Sequence, residues 1–201
     1  MKLNITVHSR KGFSATDIKK HEEACVFLAE ILNSVEFKYA VLTAKFSTTK
    51  QTSLQVYDRI ISGSEDLDMT VDHELDIYVE LYYKNNRTVG YTMPSTPWTW
   101  LNEKFFRIFS AADVARNLFH EWLHKCGFDH SSANDLSSVP YQLGNIIGDL
   151  IKTMVKGGKL TPDKFEPYIE TVELPPIEIK PKVLVCFRSW RTWFMKRCVY
   201  V

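Results

Sequence analysis

His120-Glu121-Trp122-Leu123-His124-Lys125-Cys126-Gly127-Phe128-Asp129-His130 is the stretch that decides how the rest of the chain is read. His120 and His124 are four residues apart, so on a helix they project from one face, one turn above the other. Both can reach a single metal ion. Glu121 follows the first histidine directly, which sets its carboxylate beside a metal-bound water rather than on the metal, the position a general base requires. Gly127 can take the left-handed conformation that ends a helix, so the chain can turn back and offer His130 as a third ligand. Three protein ligands leave one coordination position open, which distinguishes a catalytic zinc from a structural one.

Working outward, the helix that carries these residues starts at Ser110-Ala111-Ala112-Asp113, which fits a capping box. Upstream, residues 3–8 alternate apolar and polar as a half-buried strand does, and Arg10-Lys11-Gly12 ends it. A helix capped by Thr16 or Asp17 then runs to about Asn33 with Ile18, Cys25, Leu28 and Leu32 on one face. Residues 37–46, rich in β-formers, predict a second strand, residues 54–61 a short helix, and 63–68 a polar turn. Residues 75–84 and 88–93 predict two antiparallel strands joined as a hairpin at Asn85-Asn86-Arg87. Pro94 and Pro97 break the chain before a further strand over 98–106, and residues 141–155 read as a helix.

The chain has 201 residues, 45% hydrophobic and 13% aromatic, enough for one sizeable core. With 25 basic against 24 acidic residues the formal charge is +1, so no global field recruits nucleic acid, and none is expected as a partner. No stretch approaches the roughly 20 apolar residues of a membrane helix, and the start lacks a secretory apolar run, so a cytoplasmic or otherwise non-exported protein is expected. Cys25, Cys126, Cys186 and Cys198 include no CxxC pair and read as free thiols, although Cys186 and Cys198 could pair in an oxidising compartment. His8, His21 and His73 each stand alone at the end or polar face of an element and read as surface or packing residues. Asp129 reads as a solvated turn residue.

The motif HExxHxxGxxH, matched here at every fixed position, resembles the signature of the metzincin clan of zinc peptidases. Ser131-Ser132 after the third histidine is similar to the matrixin version. The order strand, long helix, mixed sheet with an antiparallel edge strand, then metal-bearing helix also resembles the clan over residues 1–141. The resemblance implies an α+β, zincin-like fold: a mixed twisted sheet packed on a long helix and the active-site helix. It implies one catalytic Zn2+ on His120, His124 and His130, and a zinc-dependent endopeptidase in which Glu121 activates the zinc-bound water. It further implies that an extended peptide or protein substrate pairs with the edge strand at 88–93.

Metzincins place a methionine turn beneath the metal, and here the chain departs. Ser138-Val139-Pro140-Tyr141 has the flavour of that turn with proline in place of methionine, while Met154 falls within the helix at 141–155 and reads as core. A divergent turn at 138–141 is the expectation. Tyr141 then occupies the place from which some metzincins bring a tyrosine to the oxyanion, and a tyrosine packing at a helix start is the alternative. Two function classes stay open, an active endopeptidase and an inactive zincin-like binding or scaffolding module. A metal-dependent hydrolase of non-peptide bonds would use the same residues.

Three segments are expected: a catalytic domain over 1–172, a stiff proline-rich connector over 173–182, and a basic-aromatic tail over 183–201. The tail composition suits a membrane surface, a nucleic acid or a protein partner, or simply a last strand or helix packed on the body.

Overall fold

Leu75, Ile77, Val79 and Leu81, two residues apart and all buried, put one face of β2 (Glu74–Tyr82) against the core of the computed structural model. Residues 2–93, 95–131 and 135–161 are described, together with the backbone of 184–187 and 197–200. Strand β1 (Asn4–Lys11) pairs parallel with β2 on one side, and β4 (Trp98–Asn102) pairs parallel with it on the other. The short β3 (Gly90–Thr92) pairs antiparallel with β4, giving a mixed sheet of order β1-β2-β4-β3. β3 is thus an edge strand, as expected for 88–93, though its regular part spans three residues.

Helices α1 (Ala15–Leu32), α5 (Ala111–Lys125) and α6 (Val139–Lys156) pack against one another to form the core with the sheet. Val7, Leu28, Val79, Phe119, Leu123 and Ile147 are all fully enclosed within it. Strand β1 runs past the expected end at His8 to Lys11, and Gly12, at φ +77°, turns the chain there. Helix α1 starts earlier than expected, because Ser14 rather than Thr16 or Asp17 is its cap: Ser14 Oγ accepts from the Asp17 backbone and the Asp17 carboxylate accepts from Ser14 N–H. Cys25, Leu28 and Leu32 are buried as the helical spacing predicts. The short helix predicted over 54–61 is α3 (Ser53–Ile61), capped by Thr52.

Three expectations are corrected. Residues 37–46 are not a strand: α2 (Val35–Thr43), capped by Ser34, occupies the range as far as Thr43, because the two buried side chains, Phe37 and Val41, stand four apart and share one helical face. The strand predicted over 98–106 ends at Asn102, whose side chain accepts from Lys104 N–H and caps the helical turn α4 (Glu103–Phe106). The hairpin at Asn85-Asn86-Arg87 does not form, since β2 and β3 both pair with β4 and not with each other. Asn102 is the reason. Fully buried, its Nδ2 donates to the carbonyls of Lys84 and Thr88 at 2.8 and 3.0 Å, so the 83–89 segment wraps around β4 instead of folding back on β2. Asn102→Ala leaves those carbonyls unpaired in the interior, and we expect a loss of about 2–4 kcal/mol in urea unfolding. A variant within 0.5 kcal/mol of wild type, roughly the surface-mutation range, would refute this role.

His21 is not on a polar face but fully buried, with Nδ1 3.3 Å from Arg10 Nε and 3.6 Å from the Cys25 thiol. Burial, with the Arg10 charge adding to it, pushes its pKa from 6.5 to about 3. The unfolded chain therefore takes the proton first: stability is full above pH 6.5 and falls as pH drops toward 3. We expect about 2 kcal/mol of this loss between pH 7 and pH 5, and the contribution should vanish in His21→Met, measured as the difference in pH slope between the two proteins. Parallel slopes would contradict it. His8 stacks on Tyr78 at 4.6 Å and pairs with Asp76, and His73 Nδ1 meets the Ile61 carbonyl, so both serve packing.

Cys25 and Cys126 are free and buried. In the tail, β5 (Leu184–Phe187) and β6 (Arg197–Tyr200) pair antiparallel with each other, Cys186 opposite Cys198. The connector at 173–182, the remaining tail residues and Ser132 lie outside the described residues. Among the described residues no helix is long and apolar enough to cross a membrane.

Candidate metal centre

Helix α5 begins as the sequence predicts, with Ser110 and Asp113 closing a capping box, and its inner face is anchored by Phe119, Trp122 and Leu123. Trp122 Nε1 donates to Glu65 Oε1 at 2.6 Å, and burial holds that carboxyl above the usual carboxylate range. The polar turn expected at 63–68 is therefore partly interior. Anchored on that side, α5 turns His120, Glu121 and His124 toward a cavity of about 810 Å³ between the helix and the edge strand.

Gly127 ends α5 with φ +83°. Gly127 N–H donates to His124 O and Phe128 N–H to Leu123 O, the paired bonds of a Schellman turn. A side chain here would be strained by that φ and would also stand 2.9 Å from the Asp66 carboxylate. The turn does two things for the site. It brings His130 back beside the helix, and it aims the Phe128 carbonyl at His124 Nδ1, 2.8 Å away. A carbonyl only accepts, so Nδ1 carries the proton and Nε2 keeps its lone pair for a metal. Asp129 Oδ1 lies farther from the same nitrogen, at 3.5 Å, and is almost wholly exposed, the solvated turn residue the sequence suggested.

One ligand atom from each of His120, His124 and His130 lies within 4.8 Å of the others, so the three part-buried imidazoles could hold a metal ion. The donor set fits one. Burial, then the neighbouring His124 and His130, push the pKa of His120 down to about 3 against a hydrogen bond to the Pro140 carbonyl, and burial also lowers that of His124. Neutral imidazoles are the ligating form. Nδ1 of His130 is buried with no hydrogen-bond partner among the described residues.

Glu121 lies within the same cavity, 5% exposed, and its carboxyl has no hydrogen-bond partner among the described residues. Burial raises its pKa to about 8 although the Lys125 charge opposes the shift. A carboxylate so poorly solvated is a stronger base than one on the surface. Tyr141 also faces the cavity, its ring 4.6 Å from that of His120 and 4.7 Å from that of His130. The structure thus brings together all five residues singled out from the sequence.

The turn expected at 138–141 is corrected: Ser138 holds the N-cap position of α6 with its hydroxyl turned to the Asp135 carbonyl, and Val139, Pro140 and Tyr141 form the first turn, where proline costs no hydrogen bond. The Pro140 carbonyl faces His120 from this turn, and Met154 packs at the edge of the core farther along the helix. Three features escaped the sequence. The Phe128 and Pro140 carbonyls that orient the histidines are backbone groups with no residue-type signal. Gly90 is needed because a Cβ would stand 3.0 Å from Asn117 Nδ2, so its absence lets β3 lie close to α5. Arg116 lines the cavity one turn before His120, and the four-residue spacing that revealed the histidines would have shown it.

Comparison with protein-family models, curated proteins and solved structures finds no match for this chain.

Proposed function

We propose that the protein is a metzincin-like zinc endopeptidase. The observation that carries this reading is the convergence of three histidines, a buried Glu121 with no partner among the described residues, and an edge strand on one cavity. The element order β1, α1, mixed sheet with antiparallel β3, then α5 supports a zincin-like fold. Imidazole donors suit zinc, and His120, His124 and His130 would hold it with a position left for water or substrate. When bound, the ion would acidify a water molecule and polarise the scissile carbonyl.

The chain's own groups supply the rest. An extended peptide laid along β3 would have its backbone aligned by strand addition, with the scissile bond over the histidines. Glu121, in its ionised form, removes the proton from the attacking water and delivers it to the leaving amine. Tyr141, whose ring lies beside those of His120 and His130, would donate its hydroxyl proton to the developing oxyanion. Elemental analysis joined to a peptide-library assay tests this. One zinc per chain with chelator-sensitive cleavage is expected. No bound metal after zinc loading overturns it, and bound zinc without cleavage replaces it with a binding module.

A further inference from the structure

Arg116 stands four residues before His120, and its side chain lies along α6, where Gly144 and Gly148 leave room for it. A Cβ at Gly148 would meet Arg116 Cδ at 3.3 Å, so the helix is pared back where the arginine stem crosses it. The stem is thereby steered into the cavity that also holds His120 and Glu121. Its charge has no acidic partner among the described residues: Asp113, the acid one turn earlier, is taken by Lys152 at 2.7 Å and by Ser110. Arg87, from the segment leading into β3, lines the same cavity and is equally unpaired among the described residues.

From these positions we propose that the cavity selects peptides bearing a carboxylate within two residues of the scissile bond, with Arg116 as its main contact. The inference rests on the peptidase reading. One turn of helix separates Arg116 from His120 by about 6 Å, a span that about two residues of extended peptide cover. The guanidinium fork offers two parallel donors to a carboxylate, and an ammonium or amide at the same place would meet an unmatched positive charge.

The test uses the full chain loaded with zinc. Fluorescent peptides that differ only in Glu, Gln or Lys at positions flanking the scissile bond are compared twice: for cleavage by the wild type, and for anisotropy binding to Glu121→Ala, which needs no turnover. About tenfold preference for Glu over Gln is expected in both, at one position, shrinking as salt rises. Arg116→Met keeps the stem across Gly144 and Gly148 and removes the charge, so the Glu:Gln ratio should fall to about one. Equal binding of Glu and Gln peptides, or a ratio unchanged in Arg116→Met, overturns the proposal. Selective binding without cleavage by the wild type keeps the carboxylate site and overturns the peptidase reading alone.

Discussion

Glu121→Gln is expected to lower kcat by about 10³-fold while zinc stoichiometry stays at one per chain, because the amide keeps the shape of the side chain but cannot accept the proton. The same substitution should stabilise the metal-free protein. Burial raises the Glu121 pKa from 4.5 to about 8, so at pH 7 the folded state holds a proton that the unfolded state has released. For an acid whose folded pKa is the higher one, stability declines as pH rises from 4.5 to 8, and glutamine escapes that loss. The gain at pH 7 is expected to be about 3 kcal/mol, and it should disappear near pH 4. A variant with activity within tenfold of wild type would remove Glu121 from the mechanism. One less stable than wild type at pH 7 would show that its carboxyl is solvated.

Zinc should raise the melting temperature of the wild type by about 8–16 °C when present at 1,000 times its dissociation constant. That ratio is worth about 4 kcal/mol for a ligand bound only by the folded state, and a domain of this size gains about 2–4 °C per kcal/mol. His124→Ala should abolish most of the shift. The Phe128 carbonyl fixes the His124 ring at the centre of the proposed ligand set. Removing zinc with a chelator should return the wild type to the variant's melting temperature and end cleavage. An undiminished shift in His124→Ala would mean that the ion sits elsewhere.

The parts legible in sequence were those governed by neighbours along the chain. Ser110 and Asp113 announced the start of α5, Gly127 its end, and the spacing of the histidines their common face. Helix α2 was misread because Phe37, Tyr39 and Val41 are β-formers by type, and only the burial of residues four apart makes them helical. The β2–β3 hairpin failed for a different reason. Asn85-Asn86-Arg87 suits a tight turn locally, but Asn102, distant in sequence, holds that segment across β4. Such a bond has no local signature. The orientation of His120 and His124 was equally hidden, since it depends on the carbonyls of Pro140 and Phe128.

The brevity of β3 has a consequence for solubility as well as for recognition. A strand edge left open beside a cleft can recruit a second copy of the same chain, and long flat edges do so readily. With three paired residues, β3 is too short to template that kind of association. It is also too short to grip a peptide by backbone bonds alone. On the peptidase reading, discrimination would then rest on the side chains that ring the cavity.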